Sequence, residues 1–337
     1  MKQIVIDKPH SINVEDTYKP QPPNSEVLVK PRFGGICGTD IHIYEGNFIG
    51  TYPVTPCHEF SGEVIEVGSS VSNVKIGDKV IVDPNVRCHQ CDACRTGRLN
   101  ICENFSAVGV TRPGGFSELV CVPESNVYKF ENCSFEAAAF GEPLACVLYG
   151  QSKINYMPGQ KVIIWGAGAI GLLHLMACKN IYGCNDITIV DLEHKNLDTA
   201  IKAGASHTVI ADDNLEAKLS EINNGKFDIA IDATGNSNAV HTLFKHLARG
   251  GQALLFGVYD QKAELKLSPF DIFINDWEIK GSLTYNHDFY SAVKALDNEL
   301  IKPEILIGLK ISLDETPNII RKIADGERMG KVQVKIN

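Results

Sequence analysis

Four cysteines crowd one short stretch. "RCHQCDACRTGRLNIC", from Arg87 to Cys102, carries Cys88, Cys91, Cys94 and Cys102 at C-x2-C-x2-C-x7-C spacing. Four thiolates close a tetrahedral zinc site and leave no position for a substrate, so the stretch predicts a structural zinc that clamps a long loop. An iron–sulfur cluster is the competing assignment, since C-x2-C-x2-C occurs there too, but no Pro follows a fourth Cys at the close spacing such sites use. His89 is read as solvent-facing rather than as a ligand. Further donors sit in three polar islands. "GICGTDIH" offers Cys37, Thr39, Asp40 and His42; "TPCHEFSG" offers Cys57, His58 and Glu59; "GEPLACVLYG" offers Glu142 and Cys146. Singly, each has an ordinary explanation: a lone Cys is usually a small buried hydrophobe, and a His-Glu pair is usually structural. Spacing alone does not assemble the three islands into one site.

A second chemical signal is "GAGAIG", which places Gly166, Gly168 and Gly171 in G-x-G-x-x-G register around Ile170. The motif follows the strand-like "KVIIW" and opens a helical run, the context that dinucleotide binding requires. The first glycine permits the tight turn, the second lets a pyrophosphate approach the backbone, and the third lets helix and strand pack closely. The helix N-terminus then turns N–H groups and a positive dipole end toward phosphate. The next strand, "DITIVDLE", ends on Asp191, the acid expected to grip the ribose hydroxyls, slightly further along than the usual ~20 residues. Glu193 follows and no Arg occupies positions 192–194, so NAD is expected over NADP; Lys195 is the one nearby cation.

These residues need two kinds of frame. Residues 1–150 read as short alternating strands ("EVLVKPRF", "SGEVIEVGSSVSNVKIGDKVIVD", "GGFSELVCVPESNVYKF") broken by Gly, Ser, Asn and Asp, the texture of a barrel or sandwich. Near "KINYMPGQ" the texture changes. Apolar runs ("DITIVDLE", "HTVIA", "FDIAIDATG", "GQALLFGVY") then alternate with helical segments ("AIGLLHLMACKNIYG", "KNLDTAIKAGA", "NAVHTLFKHLARG"), which predicts a doubly wound parallel sheet over 151–286. The tail 287–337 is expected to return to the first domain.

Bulk properties exclude several classes. Hydrophobic residues make up 44% and charged residues 22%, ordinary for a globular chain. No apolar run approaches the roughly 20 residues of a membrane span. No secretory leader is visible, so a cytoplasmic protein without a membrane partner is expected. The net charge of -9 argues against nucleic acid. With no sign of export, the eleven cysteines point to metal or catalysis rather than disulfides.

The ordered set "GICGTDIH", "HEFSGEVIEVGSSV" with "GDKV", the four-cysteine loop, "GGFSELV", "GEPLA" and "GAGAIG" resembles the zinc-dependent medium-chain alcohol dehydrogenases, and within them the polyol (sorbitol-type) branch. The resemblance implies an α/β fold: a β-rich GroES-like catalytic domain and a Rossmann domain. It implies two zinc ions, one structural and one catalytic. Cys37 and His58 would hold the catalytic zinc, with Glu59 or Glu142 completing the set; Glu142 in place of a Cys points to the polyol branch. Thr39 would hydrogen-bond the reacting oxygen and His42 would relay the proton to solvent, with Glu59 counted beside them as catalytic. Asp40 would orient the metal's surroundings. Cys57 departs from the family, which usually has Gly before the His-Glu pair; it is read as a packed thiol, with an extra ligand as the alternative. The implied reaction moves a hydride from a secondary alcohol (a polyol or sugar alcohol, phosphorylated or not) to NAD in a dimer or tetramer. Threonine and simple alcohols are alternatives. The rivals are a zinc-free reductase and, from another class, a non-enzymatic zinc-ribbon interaction protein.

Overall fold

The computed structural model describes every residue except Ile49. The chain opens with a hairpin, β1 (Lys2–Lys8) and β2 (Ser11–Asp16), then β3 (Glu26–Gly35), helix α1 (Gly38–Glu45), β4 (Glu59–Val67), β5 (Lys79–Val82) and the short β6 (Asn85–Val86). Helix α2 (Asp92–Arg95), β7 (Ser106–Ala107), β8 (Val120–Pro123), β9 (Val127–Lys129), α3 (Phe135–Ala138) and α4 (Gly141–Ser152) follow. The middle alternates β10 (Lys161–Trp165), α5 (Ala169–Asn180), β11 (Asp186–Asp191), α6 (His194–Ala203), β12 (His207–Ile210), α7 (Leu215–Glu221), β13 (Phe227–Asp232), α8 (Ser237–His246), β14 (Leu247–Leu255), α9 (Pro269–Asn275) and β15 (Glu278–Gly281). The chain closes with α10 (Phe289–Asp297), β16 (Ile307–Ser312), α11 (Thr316–Ala324) and β17 (Lys331–Lys335).

Two compact units result: Met1–Ala145 with Asn286–Asn337, and Cys146–Tyr285. The first division falls inside α4, ahead of the "KINYMPGQ" turn where the texture of the sequence changes. The apolar helix carries the chain through the division, and the Gly/Pro turn comes only after it.

In the first unit, seven strands form one sheet in the order β16-β17-β3-β4-β5-β9, with β8 also on β3. The strands are held by apolar residues: Val27, Leu28, Val29 and Val64 are fully buried, while Lys30 after Val29 and Glu63 before Val64 are not. Each fully buried Val or Ile contributes about 1.5–3 kcal/mol. The tail strand β17 enters antiparallel to β3 and pairs Gln333 with Gly35. That brings residues near the end of the chain to the edge of the "GICGTDIH" turn.

In the second unit all six strands are parallel, in the order β12-β11-β10-β13-β14-β15. The strands are apolar runs because both faces are covered; Val162, Ile163 and Ile164 are fully buried. One expectation is corrected. "HLARG" is not helical to its end, because α8 stops at His246 and Leu247 already pairs with Phe227 in β14.

Candidate functional site

The "GICGTDIH" island is the start of α1. Cys37 is its N-cap, and its backbone N–H donates to Asp40 Oδ2 at 2.9 Å. The same carboxylate accepts the backbone N–H of Cys57 on Oδ1 at 3.2 Å. Asp40 is fully buried, and its Oδ1 stands 3.7 Å from His58 Nδ1. One carboxylate therefore fixes both turns that present donors, which is a reason to bury a charge.

Those turns bring together Cys37, His58 and Glu59, whose donor atoms all lie within 4.8 Å of one another. Burial alone would strip the His58 ring of its proton, yet the Cys37 thiol beside it, with Asp40 and Glu142, raises its proton affinity well above the ordinary range. Anionic groups converge there and favour a cation among them. Thiolate, imidazole and carboxylate are zinc donors, and three protein ligands leave one position open. The residues present fit a catalytic zinc.

Glu59 is held by a partner that sequence reasoning missed. Lys331, at the start of β17, donates its ammonium to Glu59 Oε2 and to the Ile36 carbonyl at 3.1 Å. Both side chains are buried, 9% and 2% exposed. Burial alone would lower the Lys331 pKa, but Glu59, with Cys37 and Asp40, lifts it above its ordinary value. The sequence hint was a Lys opening the alternating run "KVQVKI".

Thr39 and His42 are on α1. Thr39 Oγ1 is 3.8 Å from Cys37 Sγ. The His42 ring is half-exposed, with Nδ1 3.7 Å from Glu45 Oε2. Glu142 lies in the first turn of α4 and is half-buried. Cys57 is fully buried, with φ +83°. Its Sγ approaches the Glu59 carbonyl at 3.4 Å, and burial pushes the thiol's pKa well up, so it packs as a neutral S–H.

The four-cysteine loop is a separate cluster. The sulfurs of Cys88, Cys91, Cys94 and Cys102 all lie within 4.8 Å of one another, with Cys88 and Cys102 3.5 Å apart. Backbone N–H groups of Gln90 and Cys91 point at Cys88 Sγ and pull its pKa down to about 5. Four convergent thiols with N–H donors around them fit a closed zinc site. From the returning segment, Asn286 ties down the loop, accepting the Leu99 N–H at 2.8 Å and donating to the Gly97 carbonyl at 2.6 Å.

In the second unit, "GAGAIG" connects β10 to α5. Gly166 has φ +98°, Gly168 is the N-cap, and Ile170 lies in the first turn of the helix. A Cβ on Gly171 would collide with the Gly166 carbonyl, so the third glycine is required for the close approach. Asp191 ends β11 half-buried. Its Oδ2 accepts the Ala167 N–H at 2.6 Å; its Oδ1 accepts the Glu193 N–H at 2.8 Å and the Asn196 side chain at 3.1 Å. The acid thus holds the glycine turn as well as facing solvent. Trp277 packs on Phe244 and donates Nε1–H to the Ala248 carbonyl, and Tyr285 is fully buried, so both are packing residues.

Residues 23–132 match the family model described as an alcohol dehydrogenase GroES-like domain, and residues 169–298 the one described as a zinc-binding dehydrogenase. D-arabinitol dehydrogenase 1 of Uromyces fabae is 33% identical, over 100% of this chain and 97% of the relative. Sorbitol dehydrogenase of Bacillus subtilis (strain 168) is 31% identical, over 96% and 93%. A chain described as a zinc-binding dehydrogenase from Sinorhizobium meliloti 1021, solved bound to NADP, superposes with a TM-score of 0.95 at 32% identity, over 99% and 98%.

Proposed function

The chain belongs to the zinc-dependent medium-chain alcohol dehydrogenases, and from that membership we propose that it oxidises a secondary hydroxyl of a polyol and passes the hydride to NAD. It is an oxidoreductase, and the zinc-ribbon interaction protein is no longer a rival. The observation that carries the reading is the buried Cys37, His58 and Glu59 cluster, in a chain whose relatives include dehydrogenases of D-arabinitol and sorbitol. Cys37, His58 and Glu59 are the proposed zinc ligands, with Glu142 adding negative charge at His58 and Lys331 occupying one Glu59 oxygen. When bound, the zinc supplies Lewis acidity that lowers the pKa of the substrate hydroxyl. Thr39 then holds that hydroxyl, and His42 hands its proton to solvent. Asp40 keeps the two ligand-bearing turns in place. Cys88, Cys91, Cys94 and Cys102 hold a structural zinc. A panel of polyols, polyol phosphates, threonine and simple alcohols, followed by absorbance of the reduced cofactor, tests the reading. Absence of turnover on every polyol by zinc-loaded protein would sink it.

NAD is proposed over NADP because Asp191 and the neighbouring Glu193 would repel a 2′-phosphate. Asp191→Ala is expected to raise KM for NAD about tenfold and to narrow the preference over NADP. The S. meliloti relative was solved with NADP, so the ratio of kcat/KM values with the two cofactors decides the matter. Preference for NADP in the unaltered protein refutes the assignment.

The protein is further proposed to work as a homo-oligomer in the cytoplasm. Strand β15 ends its sheet, and α9 beside it in sequence has no buried residue. Phe270, Phe273 and Leu283 are 66%, 76% and 56% exposed, an apolar surface that a second copy would cover. Velocity sedimentation should give at least twice the 36.9 kDa chain mass. Ile279→Lys on β15 should shift it toward the monomer, and an unaltered protein that sediments as a monomer overturns the proposal.

A further inference from the structure

Asp232 ends β13, the neighbour of β10 on the side where the strand order reverses. Ligands of open parallel sheets bind beyond the carboxyl ends of the strands at that switch point. The side chain is fully buried. Its Oδ1 accepts the Thr234 N–H at 3.0 Å and the Thr234 hydroxyl at 2.5 Å. Its Oδ2 accepts the Gly235 N–H at 3.2 Å and the Tyr259 hydroxyl. A carboxylate offers about four acceptor positions, and the protein fills all of them. The Asp232 carbonyl also accepts the N–H groups of Phe256 and Gly257, each at 3.0 Å.

The segments so gathered touch the glycine turn. The Ala233 N–H donates to the Trp165 carbonyl at 2.8 Å, and a Cβ on Gly166 would stand 3.0 Å from Thr234 Cγ2. Gly235 has φ +65°, and a Cβ on Gly257 would stand 2.6 Å from Gly235 Cα. Gly166 therefore packs against Thr234, and Gly235 against Gly257, so that segments 233–236 and 256–259 meet backbone to backbone beside the glycine turn, and one buried carboxylate ties these two segments together.

We propose that Asp232, with Tyr259, is a positioning residue for the dinucleotide: it fixes the two loops that face the glycine turn and touches no ligand itself. The proposal rests on the NAD-dependent reading above. It differs from the role given to Asp191, whose half-buried carboxylate is the one expected to meet the ribose.

Asp232→Asn tests it. The amide keeps the shape but turns an NH2 toward either Thr234 or the Gly235 and Tyr259 donors, so a donor faces a donor. In the full-length, zinc-loaded protein, the dissociation constant for NAD, by titration calorimetry, should rise about tenfold. Turnover at saturating NAD and polyol should stay within about threefold, with zinc content unchanged. Tyr259→Phe removes one hydroxyl, keeps the ring and serves where Asp232→Asn does not fold; its dissociation constant should rise about threefold or more. Folded variants that bind NAD within about twofold of the unaltered protein overturn the proposal, even where their melting temperature falls, because a merely structural role would move only the latter. Unaltered protein that binds no dinucleotide defeats the parent reading instead.

Discussion

Cys37→Ser is expected to lower polyol turnover by roughly three orders of magnitude while NAD affinity stays within about twofold. Cys37 brings its sulfur to His58 and Glu59 from the N-cap of α1, a position fixed by the Asp40 carboxylate. Serine keeps the cap geometry and the size but replaces a soft thiolate with a hydroxyl that does not ionise near neutral pH, so the donor set loses an anion. The zinc content of the purified protein should fall from about two per chain to about one, because the Cys88, Cys91, Cys94 and Cys102 cluster is untouched. The glycine turn and Asp191 lie in the other unit and keep their geometry. A Cys37→Ser protein that turns over at the unaltered rate, or that keeps about two zinc ions, removes Cys37 from the metal site.

In protein stripped of zinc, Lys331→Met should destabilise the fold by about 3–5 kcal/mol, because it leaves the Glu59 carboxylate buried with no cation beside it. The stem of Met is close in volume to that of Lys, so the loss is of charge and hydrogen bonds rather than of packing. The melting temperature should drop by roughly 10 °C. Pairing it with Glu59→Gln should restore most of the stability and lose activity, since the cycle removes both charges together. The Lys331 pKa is raised in the fold above its ordinary 10.5. The part of the stability that comes from the Lys331 charge is therefore present below that pH and is lost as pH rises through the folded value. A single variant that melts with the unaltered protein would show that Lys331 does not carry the charge balance of Glu59.

How much of this was readable differs by element. The glycine turn was legible because its strand, its three glycines, its helix and Asp191 are consecutive, so local spacing carries the geometry. The four-cysteine loop was legible for the same reason. The Cys37, His58 and Glu59 cluster was not readable from spacing: the family resemblance supplied Cys37 and His58 and left the carboxylate open between Glu59 and Glu142. Its members are presented by two turns joined through Asp40. The helix end inside "NAVHTLFKHLARG" was misplaced because a tertiary pairing, Leu247 with Phe227, overrides local helix preference.

The sequence by itself determined the local elements: a tight glycine turn between strand and helix, an acid after it, and a loop that brings four thiols together. It also determined the two strand textures and so the two kinds of sheet. Only the tertiary structure decided what surrounds each anion. Lys331 reaches Glu59 because β17 returns to pair with β3, and Tyr259 reaches Asp232 because β13 and β14 lie side by side. The reason is physical. A buried charge is stabilised by whichever donor the fold brings within about 3 Å, and chain separation carries no information about that distance.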